Sequence, residues 1–248
     1  MAGHSKWTNI KHRKARQDQQ KGKLFTKISR EITVAAREGG GDIDSNFSLR
    51  LAVQKAREAN MPNENINRAI KRGTGEIKGV DFEQVIYEGY GPAGTAILLE
   101  ILTDNRNRTA SEIRNLFSRN ESSLGESGCV SWMFQRKGYL NIAAREEDDE
   151  DEIMLMAVDA GAEDFELEDG FYNVITAPEE LEIVKDRLSA KGLEISSAEI
   201  TMLPESTVPI EDKETAAKVL RLIEALEDHD DVKNVYCNCE IPEEFYPE

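Results

Sequence analysis

GYLNIAAREEDDEDEIMLMAVDAGAEDFELEDGFYNVITAPEELEIVKDRLSAKGLEISSAEIT, residues 138–201, is the stretch that decides the fold. Residues 138–143 read as a strand, 148–160 as a helix and 163–168 as a strand again. Residues 171–175 are then a strand, 178–190 a helix and 193–201 a strand. The order is β-α-β-β-α-β, the split βαβ or ferredoxin-like unit. Asp169-Gly170 signals a tight turn between its two middle strands.

Working outward from this unit, an incomplete pattern lies on either side. Residues 82–88 and 95–102 read as strands. Thr103 and Asp104 open a helix carrying Ile113, Leu116 and Phe117, then a Gly/Ser-rich loop at 120–128 leads into a strand at 130–134. Beyond Leu203-Pro204 only one helix (213–226) and one strand (232–237) remain, too few for a domain. Element counting therefore sends the C-terminal α-β back to complete the sheet begun at residue 82, with the split unit inserted between. Before residue 81 the period is helical throughout. Leu24, Phe25, Ile28, Ile32, Ala35 and Ala36 line one helix, which Gly39-Gly40-Gly41 stops. Asp44 or Ser45 is the expected cap of a second helix containing Phe47, Leu51, Ala52 and Ala56. Asn60-Met61-Pro62 breaks it, and Asn63 caps a third helix through Ile66, Ala69 and Ile70 to Gly73. The expected fold is multi-domain, α and α+β. An all-α domain spans 1–78. An α+β domain is made of 79–136 plus 205–248, and a second is inserted at 137–204, both ferredoxin-like.

Charge divides the chain unequally. The formal net charge is −17, yet up to Lys78 there are 17 Lys and Arg against 8 Asp and Glu, and beyond it 14 against 40. A head of +9 on a body of −26 points to a polyanion partner for the head alone. Most of that charge sits in the first thirty residues, where Lys6, Lys11, Arg13, Lys14, Arg16, Lys21, Lys23, Lys27 and Arg30 crowd together with Asp18 as the single acid. Phosphate contacts through counterion release are the physical use of such a run. Trp7, His4 and His12 are interleaved with the charge and suit stacking on an exposed base. The expected nucleic-acid-binding residues are Lys6, Trp7, Lys11, His12, Arg13, Lys14, Arg16, Lys21, Lys23 and Lys27. The competing reading of the run is a solvated helix face, and Trp7 has its own alternative as an anchor for the arm.

Other motifs carry less. Gly89-x-Gly91-x-x-Gly94 has dinucleotide-loop spacing, but a strand-forming run, Thr95-Ala96-Ile97-Leu98-Leu99, follows it where a helix is needed. It reads as a hairpin connection. Thr103-Asp104-Asn105-Arg106-Asn107-Arg108 is open to two readings, a helix cap and an anion contact through Arg106 and Arg108, the secondary contacts expected here. The acidic run after Arg145, Glu146 to Glu152, suits a solvated helix start, and nothing in it fixes a metal-ligand geometry. Three cysteines, Cys129, Cys237 and Cys239, form no disulfide framework. His4, His12 and His229 are the whole histidine complement, and no nucleophile elbow, phosphate loop or His-Glu-x-x-His occurs. No enzyme activity, cofactor, metal or small-molecule substrate is expected. There is no run of roughly 18 apolar residues and no apolar signal core, so the expected location is the cytoplasm.

Several stretches taken together carry a resemblance. They are Met1-Ala2-Gly3-His4-Ser5-Lys6-Trp7, Asn9-Ile10-Lys11-His12-Arg13-Lys14, Lys21-Gly22-Lys23-x-Phe25-x-Lys27, Asn60-Met61-Pro62, Ile66-x-x-Ala69-Ile70-Lys71-Arg72-Gly73-Thr74-Gly75, Tyr87-Glu88-Gly89-Tyr90-Gly91-Pro92, Thr103 to Ala110 and Ser131-Trp132-Met133-Phe134. The chain resembles the YebC/PmpR family along its whole length. Cys129 stands where the pattern has Ser, and Asn120-Glu121-Ser122-Ser123 replaces a more Gly-rich loop. The resemblance implies a helical N-terminal domain, two α+β domains with one inserted in the other, and no cofactor. It implies a DNA-binding transcriptional regulator. For mitochondrial relatives it implies translational activation, and for bacterial ones a ribosome-associated factor that relieves stalled elongation. The expected partner is thus nucleic acid, either DNA or ribosomal RNA.

Overall fold

The computed structural model describes residues 21–145, 147–168 and 170–246. Three helices come first: α1 (Lys21–Gly39), α2 (Phe47–Glu58) and α3 (Asn63–Gly73). Then follow β1 (Glu83–Tyr90), β2 (Ala96–Thr103), α4 (Arg106–Arg119) and β3 (Ser123–Leu124). The middle stretch holds β4 (Phe134–Ala143), α5 (Glu150–Ala160), β5 (Asp164–Glu168), β6 (Phe171–Thr176), α6 (Leu181–Ala190) and β7 (Ile195–Pro204). The chain ends in β8 (Val208–Pro209), α7 (Lys213–Glu227), β9 (Val232–Cys237) and β10 (Cys239–Glu240). This is a mixed α and α+β multi-domain fold. Among the described residues no helix is long and apolar enough to cross a membrane.

Two compact units contain these elements. One is Met133–Glu205, whose four strands lie in the order β5-β6-β4-β7 with every neighbouring pair antiparallel. Gly138 is needed on β4 because a Cβ there would stand 2.3 Å from Thr176 Oγ1 and 3.0 Å from Leu181 of α6. Leu181, Val184 and Leu188, at helical spacing, bury the inner side of α6. Asp149 caps α5 by accepting from Asp151 and Glu152 N–H, which accounts for part of the acidic run as a helix start.

The other unit holds residues 21–132 and 206–246. Its main sheet runs β3-β1-β2-β9, all antiparallel, so the C-terminal strand β9 pairs with β2. The glycine-spaced segment is the β1–β2 hairpin connection, a 3-10 turn at Pro92–Gly94 with Ala93 and Gly94 at φ of 57° and 73°. Residues 130–134, expected as one strand, are instead a loop end and a 3-10 turn (Ser131–Met133), with β4 beginning at Phe134. The reason is that the Glu88 carboxylate takes the N–H groups of Val130 and Ser131, which a ladder would otherwise use.

In the same unit α1, α2 and α3 enclose a small core of Ile28, Ile32, Ala36, Leu49, Val53, Ala56, Met61, Ile66 and Ala69. The cap of α2 is Asn46 rather than Asp44 or Ser45. Its Oδ1 accepts from Leu49 N–H at 3.1 Å while its amide donates to Ala35 and Gly40 carbonyls at 2.8 Å. Only an amide both accepts and donates in this way. Helices α1 and α3 approach closely at Gly73, where a Cβ would lie 2.4 Å from the backbone Thr33 O and 2.6 Å from Ala36 Cβ. Gly73→Ala is therefore expected to lose about 1–3 kcal/mol by overpacking, although alanine is the better helix former. Hydrogen exchange in α1 and α3 of the two proteins measures it; equal or higher protection in the variant would mean that the helices separate without cost.

Candidate nucleic-acid interface

Of the residues expected to bind nucleic acid, Lys6, Trp7, Lys11, His12, Arg13, Lys14 and Arg16 lie outside the described residues, as does the side chain of Lys21. Lys23, Lys27 and Arg30 lie on α1 at i, i+4 and i+7, so they share one face. That face meets the C-terminal end of α7. Lys27 Nζ donates to the Glu227 carbonyl, Lys23 Nζ reaches the Asp228 carbonyl at 3.5 Å, and Arg30 Nη1 donates to the Asp230 carbonyl at 2.7 Å. The last carbonyls of a helix lack intrahelical donors and carry partial negative charge. Cations from α1 fill that need. Burial pushes the Lys27 ammonium down to about 8, against the pull of Glu227, Asp230 and Asp228. Lys23 keeps half of its side chain exposed and faces Asp228 at 3.7 Å, so it remains open to a phosphate.

Arg30 also leads to the most connected group of the unit. Asp231, buried at the start of β9, accepts from Arg30 Nη1 at 2.7 Å, Arg108 Nη2 at 2.6 Å and Thr109 Oγ1 at 2.6 Å. Thr103 Oγ1 stands 3.3 Å away and shares a 2.7 Å hydrogen bond with Thr109. Burial alone would raise the Asp231 carboxyl, but the hydrogen bonds from Thr109, Arg108 and Arg30 hold it below its ordinary value. Three elements, α1, α4 and β9, are thus joined through one carboxylate. Its neighbour His229 accepts the Asp231 N–H on Nδ1 and faces Glu112 Oε2 through Nε2 at 3.0 Å. Glu112, His229 and Asp231 are close enough to suggest a metal site. Two guanidiniums already neutralise Asp231, however, and both imidazole nitrogens are engaged, so a divalent cation would meet positive charge there.

The strand-to-helix motif combines a cap and a charge cluster. Asn105 caps α4 by accepting from Arg108 N–H at 3.1 Å. Arg108 spends its guanidinium on Asp231 and on Asp104 at 2.8 Å. Arg106 differs: it is largely exposed, with Glu83 at 3.6 Å as a loose partner. Sequence reasoning missed Asp231 because it is one of 48 acids and lies in an acidic turn. It also missed Glu88, a second buried carboxylate, which binds Gly128, Val130 and Ser131 N–H groups at 2.7–2.8 Å and fixes the loop before Trp132. Alternation along β1 gave no signal for it, since it puts Glu88 on the same strand face as Ile86, which is exposed.

Two family models match this sequence: the TACO1/YebC protein N-terminal domain over residues 5–76, and the TACO1/YebC second and third domain over residues 82–239. A relative from Halothermothrix orenii, named "Probable transcriptional regulatory protein", is 59% identical over 249 residues, covering 100% of this chain and 98% of the relative. One of the same name from Syntrophomonas wolfei is 58% identical over 247 residues, with 99% and 98% covered. Among solved structures, a conserved hypothetical protein of Aquifex aeolicus superposes with a TM-score of 0.84 at 50% identity, over 95% of this chain and 96% of that one. With both ends of the sequence matched and the fold shared, the chain belongs to the TACO1/YebC family.

Proposed function

We propose that the protein is a non-enzymatic, DNA-binding transcriptional regulatory protein acting in the cytoplasm. The observation that carries this reading is the basic head on an acidic body, +9 against −26. The names of the relatives from Halothermothrix and Syntrophomonas support the regulatory role. In this reading Lys6, Trp7, Lys11, His12, Arg13, Lys14, Arg16, Lys21 and Lys23 contact the nucleic acid, Arg106 adds a secondary contact, and Lys27 and Arg108 serve mainly to hold the surface in place. The acidic remainder repels a second strand of phosphates and limits non-specific collapse onto DNA. The helical segment 1–78 is the binding domain. Residues 79–136 with 205–248 form an α+β domain, supported by the β2–β9 pairing, and 137–204 is inserted into it. The order β5-β6-β4-β7 supports a ferredoxin-like identity for the insert.

The test is duplex-DNA affinity across a salt series, set beside co-sedimentation with ribosomes. Sequence-dependent DNA binding is the expected result. Equally weak binding to all duplexes, with ribosome association surviving physiological salt, would overturn it in favour of a translation factor. Changing Lys11, Arg13 and Lys14 together to Ala should reduce the salt slope by roughly 0.9 per lost phosphate contact. An unchanged slope would place the contact surface away from the arm.

A further inference from the structure

Helices α2 and α3 are joined by four residues, 59–62. The turn is tightly made. Ala59 N–H bonds Lys55 O at 3.0 Å, Asn60 N–H bonds Arg57 O at 2.9 Å, and Met61 N–H bonds Ala56 O at 2.8 Å. Asn60 takes the left-handed conformation at φ 58°, which asparagine tolerates better than most side chains. Met61 is buried in the helical core, and Pro62 at φ −58° leads into α3. The longer helix α1 packs against both. Two helices joined by a turn of four residues and buttressed by a third share the connectivity of a helix-turn-helix, whose second helix is the one that enters a groove.

The surface of α3 has the composition for that task. Ile66 and Ala69 face the core and Gly73 abuts α1. The exposed side carries Asn63, Asn67 and Lys71 in one row at i, i+4 and i+8, and Glu64, Arg68 and Arg72 in the next. Asparagine pairs with adenine edges, arginine forks onto guanine, and lysine suits a phosphate. The side chains of Asn67, Lys71 and Arg72 meet no hydrogen-bond or ion-pair partner among the described residues. Arg68 meets Glu64 at 2.8 Å, an exposed pair that holds it weakly. Eleven residues give a rod of about 16 Å, matched to a major groove about 12 Å wide.

We infer that α3 is a recognition helix for the major groove of B-form DNA, with Asn63, Asn67 and Arg68 toward base edges and Lys71 and Arg72 on phosphates. The inference rests on the DNA-binding reading above and assigns its sequence-reading element to α3 rather than to the basic arm. A-form duplex RNA has a major groove too deep and narrow for it.

The experiment uses the full chain and a duplex enriched from random DNA by that chain. Fluorescence anisotropy compares this duplex, a scrambled duplex and the same sequence as duplex RNA across a salt series. Three variants are needed: Lys71→Gln with Arg72→Gln, Asn67→Ala with Arg68→Ala, and the arm triple variant. Circular dichroism and melting establish that each is folded. The Lys71/Arg72 variant should flatten the DNA salt slope by about 1.8. The Asn67/Arg68 variant should cut the preference for the enriched over the scrambled duplex at least about fivefold. Methylation of guanine N7, which lies in the major groove, should block the wild type. If both α3 variants match the wild type while the arm variant loses binding, the recognition helix is refuted and DNA binding stands. If duplex RNA competes equally, the major-groove assignment fails. If no duplex binds the wild type at any salt, the DNA-binding reading fails and α3 falls with it.

Discussion

Asp231→Ala is expected to destabilise the unit formed by residues 21–132 and 206–246 by about 2–4 kcal/mol. Removing one partner of a buried ion pair costs about 3–5 kcal/mol, because the opposite charge is left without compensation. Here the estimate is lowered, since the Arg30 and Arg108 side chains are 18% and 42% exposed and water can partly take over. Thr109, fully buried, has no such escape and would keep only its bonds to Thr103 and the Asn105 carbonyl. Asp231→Asn should cost less, since one oxygen still accepts from Thr109 while the charge is gone. Two compact units make a single unfolding midpoint ambiguous, so the change is best read from hydrogen exchange in α1 and β9. Arg30→Ala made in the Asp231→Ala background should cost less than in the wild type. Strict additivity of the two would show that Arg30 is held by its other contacts, the Asp230 carbonyl and the Phe82 ring 5.1 Å away, rather than by Asp231.

The same carboxylate gives stability a direction in pH. Asp231 holds its proton less tightly in the folded chain than the unfolded value of about 3.9, and Glu88 does so relative to about 4.3. The unfolded chain therefore binds more protons over the interval between the two states' values. The stabilisation from each group is present in full above its unfolded value and is lost as pH falls through its folded one.

How much of this could be read from sequence depends on where each interaction is encoded. The helix and strand order of 138–201 was legible because the two periods alternate cleanly there, whereas nothing local in the last strand encodes its pairing with β2. Two-residue strands such as β3, β8 and β10 have no period, and their pairing is set by tertiary neighbours alone. Two caps slipped by a residue or two: Asn46 stands where Asp44 or Ser45 was expected and Pro62 where Asn63 was, while Asn105 was among the adjacent cap formers of its motif and backbone geometry chose it. In the basic segment, charge was legible but its use was not. Lys23 and Lys27 are four residues apart on one helix, yet the first stays half exposed and the second is pushed toward neutrality against α7. Nothing in a run of lysines distinguishes them, because the distinguishing group, the end of α7, lies about 200 residues away. Asp231 and Glu88 were hidden for a related reason. A carboxylate becomes informative only when it is buried, and burial belongs to the fold.

Glu88 is where that point is tested most directly. Its Oε1 accepts from Gly128 N–H and its Oε2 from both Val130 and Ser131 N–H, so three donors converge on one side chain. Burial would raise this carboxyl, but the three backbone N–H groups hold it below its ordinary value. Glu88→Ala leaves those donors without their acceptor. Val130 is buried and Ser131 half-buried, so water replaces it poorly, while Gly128 is exposed and rehydrates. At about 1–3 kcal/mol for each buried donor left unmade, the loss should be about 2–4 kcal/mol. Glu88→Gln should cost about 1 kcal/mol: its single oxygen can serve Val130 and Ser131, but its NH2 then faces the Gly128 donor. Hydrogen exchange at residues 130 and 131 separates the outcomes, with protection lost in the alanine variant and largely kept in the glutamine one. The loop also carries the Cys129 carbonyl, which accepts from Tyr90 Oη at 2.9 Å and Trp132 Nε1 at 3.1 Å. Releasing it should free the exposed Trp132 ring, read as a fall in its fluorescence anisotropy in a Trp7→Phe background. An alanine variant with unchanged exchange and anisotropy would mean that the aromatic pair, rather than Glu88, holds the loop.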